Sequence, residues 1–101
     1  DIVVDTFHCA WDPDIWRLSD VAGEKLAFVQ VCNWFEPSPD EKPQREVLSV
    51  GLMDLSVWLR SLVAGGYGGT IEFEMFDRHR RGRAVGDVLS TALAELRAML
   101  A

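Results

Sequence analysis

Cysteine is scarce in this sequence: there are two, Cys9 and Cys32, among 101 residues. Two thiols without a CxxC spacing do not make a disulfide framework, so two reduced cysteines in a cytoplasmic protein are expected. Positive charge is also in short supply. Ten Lys and Arg stand against sixteen Asp and Glu, a net charge of -6. Such a chain repels phosphate backbones and anionic lipid surfaces, which excludes nucleic acid and membranes as expected partners. No apolar run approaches the ~18 residues of a membrane span. No cationic start followed by an apolar core marks a signal peptide. Proline is confined, with three of the four falling between residues 35 and 46. Repeats and low-complexity tracts are missing too. What is present is apolar content, 49%, enough for a packed core rather than disorder. The length fits one small domain or a piece of a larger one. The chain enters a strand almost at Asp1, so sequence upstream of it is expected.

The apolar pattern gives an order of elements. IVVD, residues 2 to 5, reads as a short buried strand ending in an acid. Residues 12 to 23 read as a short helix, started by Asp12 and Pro13 and stopped by Gly23. LAFVQVCNW contains the second strand, near 27 to 33. The Pro-rich, charged segment 35 to 46 is a long loop, and long loops inside compact domains are often functional. Asp54 caps a helix whose apolar face is Leu55, Trp58, Leu59, Leu62 and Val63, ended by Gly65 and Gly66. TIEFEMF, 70 to 76, is the third strand, and DRHRRGR reads as a basic, mobile loop. The last helix runs from about Ala84 to Leu100, with Val85, Val88, Leu89, Ala92, Leu93, Leu96 and Leu100 as its stripe. Strands separated by helices predict right-handed crossovers and a parallel sheet, here of three strands buried on both faces. Three such strands cannot close a sheet. The remainder is expected from further chain or another subunit, because open edges invite aggregation.

Polar residues gather where a parallel sheet does its chemistry, at the C-terminal ends of strands. The first strand delivers Asp5 and then His8, the second Gln30 and Asn33, the third Glu72 and Glu74. Oxygen donors from Asp, Gln and Glu suit Mg²⁺, Mn²⁺ or Co²⁺. A metal so held can polarise a carbonyl and make the neighbouring C–H acidic enough for a carboxylate to remove its proton. Plainer roles stand beside this one. Asp5 can cap the next turn, Glu72 and Glu74 can be one solvated face alternating with Ile71, Phe73 and Met75, and His8 can be a hydrogen-bonded structural histidine.

Four stretches, in order and with natural spacing, resemble the C-terminal part of the xylose isomerase-like sugar-phosphate isomerase/epimerase family of (β/α)8 TIM barrels. VVDTFHCAW is similar to a D-T-x-H strand, FVQVCNWFEP to V-H-V-C-D-W, REVLSVGLMDL to R-x-x-x-G-x-G-x-I-D, and GGYGGTIEFEMF to G-Y-x-G-x-x-x-x-E-x-F. The resemblance implies an α/β fold in which this chain is the last three βα units of the barrel. It also implies a divalent metal (Mn, Mg, Co or Zn) on Asp5, Gln30 and Glu74, with Glu74 sharing in proton transfer. His8 would lie beside the substrate and act with Glu74. Arg45 would hold the substrate's polar end, where its planar fork suits a carboxylate or phosphate.

The chain departs from the family pattern at Gln30, Asn33, Ser49 and Val50, and it has no counterpart of an earlier glutamate ligand. Two functions follow from the resemblance. One is a metal-dependent isomerase or epimerase of a small sugar, keto acid or sugar phosphate. The other is a catalytically inactive member kept for binding or assembly.

Overall fold

The structure, a computed structural model, describes all 101 residues. Its main sheet has three parallel strands: β1 (Ile2–Asp5), β2 (Leu26–Val31) and β5 (Thr70–Phe73), in the order β1-β2-β5. The parallel sheet matches the expected α/β class. The register aligns chemically similar residues in rows. Val4, Val29 and Ile71 form one row, and Asp5, Gln30 and Glu72 form the next. Side chains alternate across a pleated strand, so the two rows face opposite ways.

The valine row, with Val31, faces the helices. α3 (Leu55–Ala64) starts at Asp54, whose carboxylate accepts from the Val57 N–H. It buries Leu55, Trp58, Leu59 and Leu62 against Val4, Val29 and Val31. Trp58 is 1% exposed and donates its indole N–H to the Ile15 carbonyl at 2.8 Å. That bond ties α3 to the segment between β1 and β2. This segment is a 3-10 turn, Pro13–Arg17, followed by the short α2 (Leu18–Ala22), rather than one helix over 12 to 23. Asp12 caps it as expected, and Gly23 leaves it at φ 55°, a conformation that favours glycine.

Three expectations are corrected. The second strand ends at Val31 and the third at Phe73. Beyond Val31 the chain leaves the sheet and forms an antiparallel hairpin of β3 (Asn33–Phe35) and β4 (Gln44–Glu46), within what reads in sequence as loop. The strands are also not buried on both faces. Val3, on the face opposite the helices, is about half exposed. Lastly, α4 (Val85–Leu100) packs with only part of its stripe. Val88 and Ala92 are buried, while Val85, Leu89, Leu93 and Leu100 remain exposed. No helix is long and apolar enough to cross a membrane.

Candidate active site

The row Asp5–Gln30–Glu72 stands on the face turned away from the helices, at the C-terminal ends of the strands. Glu74 follows Glu72 by two residues, and its N–H donates to the Val31 carbonyl at 3.1 Å, so it stays alongside β2. β1 passes directly into α1 (Thr6–Cys9), and Asp5 caps this turn by accepting from the Phe7 N–H at 2.9 Å. The cap also lifts His8 over the strand end.

Arg45 comes from β4 and points into the middle of this group. Its Nη1 donates to Asp5 Oδ1 at 3.2 Å and its Nη2 to Asp5 Oδ2 at 2.8 Å, a bidentate pair. The same Nη2 lies 3.4 Å from Glu74 Oε2 and 3.5 Å from His8 Nε2. The guanidinium is sandwiched between aromatic faces, 4.5 Å from the Phe7 centroid and 4.9 Å from that of Phe76. It is 1% exposed. Nη1 also contacts Cys32 Sγ at 3.5 Å, and burial pushes the Cys32 thiol up to about 12, so it is a neutral thiol at pH 7. Burial alone would weaken the Arg45 charge, but the Asp5 hydrogen bonds outweigh it and raise the pKa above its ordinary value.

The side chain of Gln30 turns its nitrogen toward the acids, donating to Glu72 Oε1 at 3.2 Å and Glu74 Oε1 at 3.3 Å. Both partners are carboxylates, which fixes this amide orientation chemically. Asp5, His8, Gln30, Arg45 and Glu74 are therefore one contiguous group. Asn33 is not part of it. Asn33 is 1% exposed and makes four hydrogen bonds, from its amide nitrogen to the Leu48 and Met53 carbonyls and to its oxygen from the Trp34 and Met53 N–H groups. It is a clamp for the loop before α3.

A divalent metal on Asp5, Gln30 and Glu74 does not fit this arrangement. Asp5 Oδ2 and Glu74 Oε2 both contact Arg45 Nη2, and Gln30 presents N–H rather than oxygen. No cluster of three or more His, Cys, Asp or Glu side chains is disposed to hold an ion.

Two features had no clear signal in the sequence. Glu46, beside Arg45, is buried and accepts from Arg83, from Arg81 and from the Val47 N–H. It pins the basic loop 77 to 83 that reads as mobile. An acid at the end of a charged loop, with a run of arginines later, is too common a pattern to have indicated this. The second feature is a cleft of about 610 Å³ whose walls include Phe7, Trp11, Trp34, Pro43, Arg78 and His79. Phe7 belongs to both, lining the cleft and packing its ring against Arg45. Trp11 is 77% exposed there.

A family model described as xylose isomerase-like TIM barrel matches residues 1–99. Among solved structures, the chain is similar to the crystal structure of protein SMc04130 from Sinorhizobium meliloti 1021, at 26% identity and a TM-score of 0.71. That match covers 97% of this chain and 37% of the other, so the chain spans little over a third of its structural relative. No curated protein matches it significantly.

Proposed function

The chain belongs to the xylose isomerase-like TIM-barrel family, and from that premise we propose that it supplies the last three βα units of a barrel that isomerises or epimerises a small sugar, keto acid or sugar phosphate. The remaining strands would come from further chain or from another subunit. Support for this comes from the two open edges of the β1-β2-β5 sheet, the exposed Val85, Leu89 and Leu93 on α4, and the greater length of the relative. A cytoplasmic setting suits the two unpaired cysteines.

The observation that supports the activity is a carboxylate and an imidazole, two groups able to move protons, around one positive charge. Glu74 and His8 both lie within 3.5 Å of Arg45 Nη2, and both side chains are accessible, at 31% and 68% exposure. Removal of a proton next to a carbonyl by Glu74 leaves an enediolate. Return of the proton to the neighbouring carbon isomerises the sugar, and return to the opposite face of the same carbon epimerises it. His8 would exchange a proton with the substrate oxygen. Arg45 supplies positive charge beside the developing negative charge. The aromatic cleft bounded by Trp11 and Trp34 would take the rest of the substrate.

A second reading has its own observation. Asp5, Glu74 and Gln30 satisfy one another and Arg45 within the protein, as in a member retained for binding or assembly. One assay separates the two. The intact protein is incubated with small ketoses and their phosphates in D₂O, and loss of the C–H signal next to the carbonyl is followed by NMR. The enzyme reading predicts exchange that falls by about 10² or more in Glu74→Gln. Exchange that Glu74→Gln leaves unchanged, or no exchange despite ligand binding, rejects it.

A further inference from the structure

The carboxylates at the strand ends are arranged around a cation that the chain itself provides. Asp5 Oδ2 and Glu74 Oε2 contact the same atom, Arg45 Nη2, at 2.8 and 3.4 Å. Any ion bridging those two oxygens would sit about 2.0–2.6 Å from each and would have to share both with the guanidinium cation that already contacts them. A guanidinium cannot lose its proton to make way. To leave, it would have to abandon both Asp5 oxygens and slide out from between Phe7 and Phe76. Its exit would also leave Asp5, at 8% exposure, as a buried unpaired charge. The rest of the group agrees with a resident organic cation. Gln30 offers hydrogen-bond donors to Glu74 and Glu72, which suits acids that lack a metal and would waste a ligand position beside one.

We propose that Arg45 is the permanent cation of this centre and bars divalent metal from the Asp5–Glu74 pair. The inference concerns occupancy and not turnover, so it stands or falls separately from the isomerase reading. Family resemblance implies the reverse, a metal on these same residues; here the site has exchanged a dissociable ion for a covalently tethered one. With no metal to hold, position 30 requires only a neutral donor between acids, which Gln30 supplies.

The test is a Mn²⁺ titration of the intact protein, read by the electron paramagnetic resonance signal of free Mn²⁺. Wild type should show no site that Asp5→Asn removes. Arg45→Met frees both carboxylates and should gain such a site, with affinity at least about tenfold above wild type, a change of the size that ligand removal makes in the opposite direction. Adding Asp5→Asn to Arg45→Met should abolish the gain. One Mn²⁺ taken up stoichiometrically by wild type and lost in Asp5→Asn overturns the proposal. That wild-type comparison decides the matter even if Arg45→Met does not fold. A folded Arg45→Met protein that gains nothing also overturns it.

Discussion

Gln30 Nε2 lies 3.2 Å from Glu72 Oε1 and 3.3 Å from Glu74 Oε1, an uncharged donor set between two acids. Replacing it with glutamate would put a third carboxylate in the row and remove both hydrogen bonds. The new carboxyl, beside like charges, would have its folded pKa raised above its unfolded value. The damage is therefore full at neutral pH and is relieved as pH falls through the folded value. Gln30→Glu should cost about 1–3 kcal/mol at pH 7 and less at pH 4.5, by urea denaturation. Gln30→Leu, which adds no charge, should cost less than Gln30→Glu at pH 7. Equal losses at the two pH values for Gln30→Glu would show that charge is not the cause.

Asn33 and Gly51 hold the hairpin to the loop before α3. An aspartate at position 33 would keep the acceptor role but lose both donors, to Leu48 and Met53 carbonyls at 2.9 and 2.8 Å. Two buried carbonyls would then face a carboxylate, so Asn33→Asp should destabilise by about 2–4 kcal/mol. Gly51 has φ 146°, and a Cβ there would run into Asn33 Oδ1 and the Trp34 carbonyl. Gly51→Ala should therefore cost more than about 1 kcal/mol. Thermal melts of the two variants check both numbers.

Stability should fall on acidification in two stages. The His79 pKa is lowered by burial and by the charges of Arg78, Arg45 and Arg81. The unfolded chain thus binds the proton first, and stability drops as pH falls below about 6.5. Burial opposes ionisation of Glu46, yet hydrogen bonds from Arg83, Val47 and Arg81 outweigh it and hold its pKa below the usual value. Its contribution is complete above the unfolded value near 4.3 and is lost as pH falls through the folded one. Denaturation across pH 3 to 8 should show the upper stage flattened in His79→Phe and the lower stage flattened in Glu46→Gln.

Much of the sheet is legible in the sequence because its cause is local. The apolar runs at 2 to 5, 26 to 31 and 70 to 73 are short and bounded, and the helices between them dictate parallel pairing. The polar row is legible in part: alternation sets Gln30 apart from Val29 and Val31 and Glu72 apart from Ile71 and Phe73, while the register that lines them up with Asp5 is a tertiary fact. What joins the row is not legible. Arg45 reaches Asp5 across forty positions, from a three-residue strand hidden in a Pro-rich, charged segment. Nothing in local pattern distinguishes a substrate-facing arginine from one turned inward. Asn33 reads as the end of the second strand, but its own strand pairs with β4, and that depends on a turn chemistry spread over eight residues, 36 to 43. The stripe of α4 is apolar in sequence; which part of it packs depends on what lies beyond the three strands.

Arg45 and Asp5 should act as one unit, and a double-mutant cycle between Asp5→Asn and Arg45→Met measures that directly. Each single change should cost about 3–5 kcal/mol, because each leaves a buried partner unmatched. The double variant removes both charges together and should cost clearly less than the two added, a coupling of at least about 1.5 kcal/mol by denaturant unfolding. A coupling under about 0.5 kcal/mol would mean that the two residues stand apart in solution, and would contradict the guanidinium-centred site.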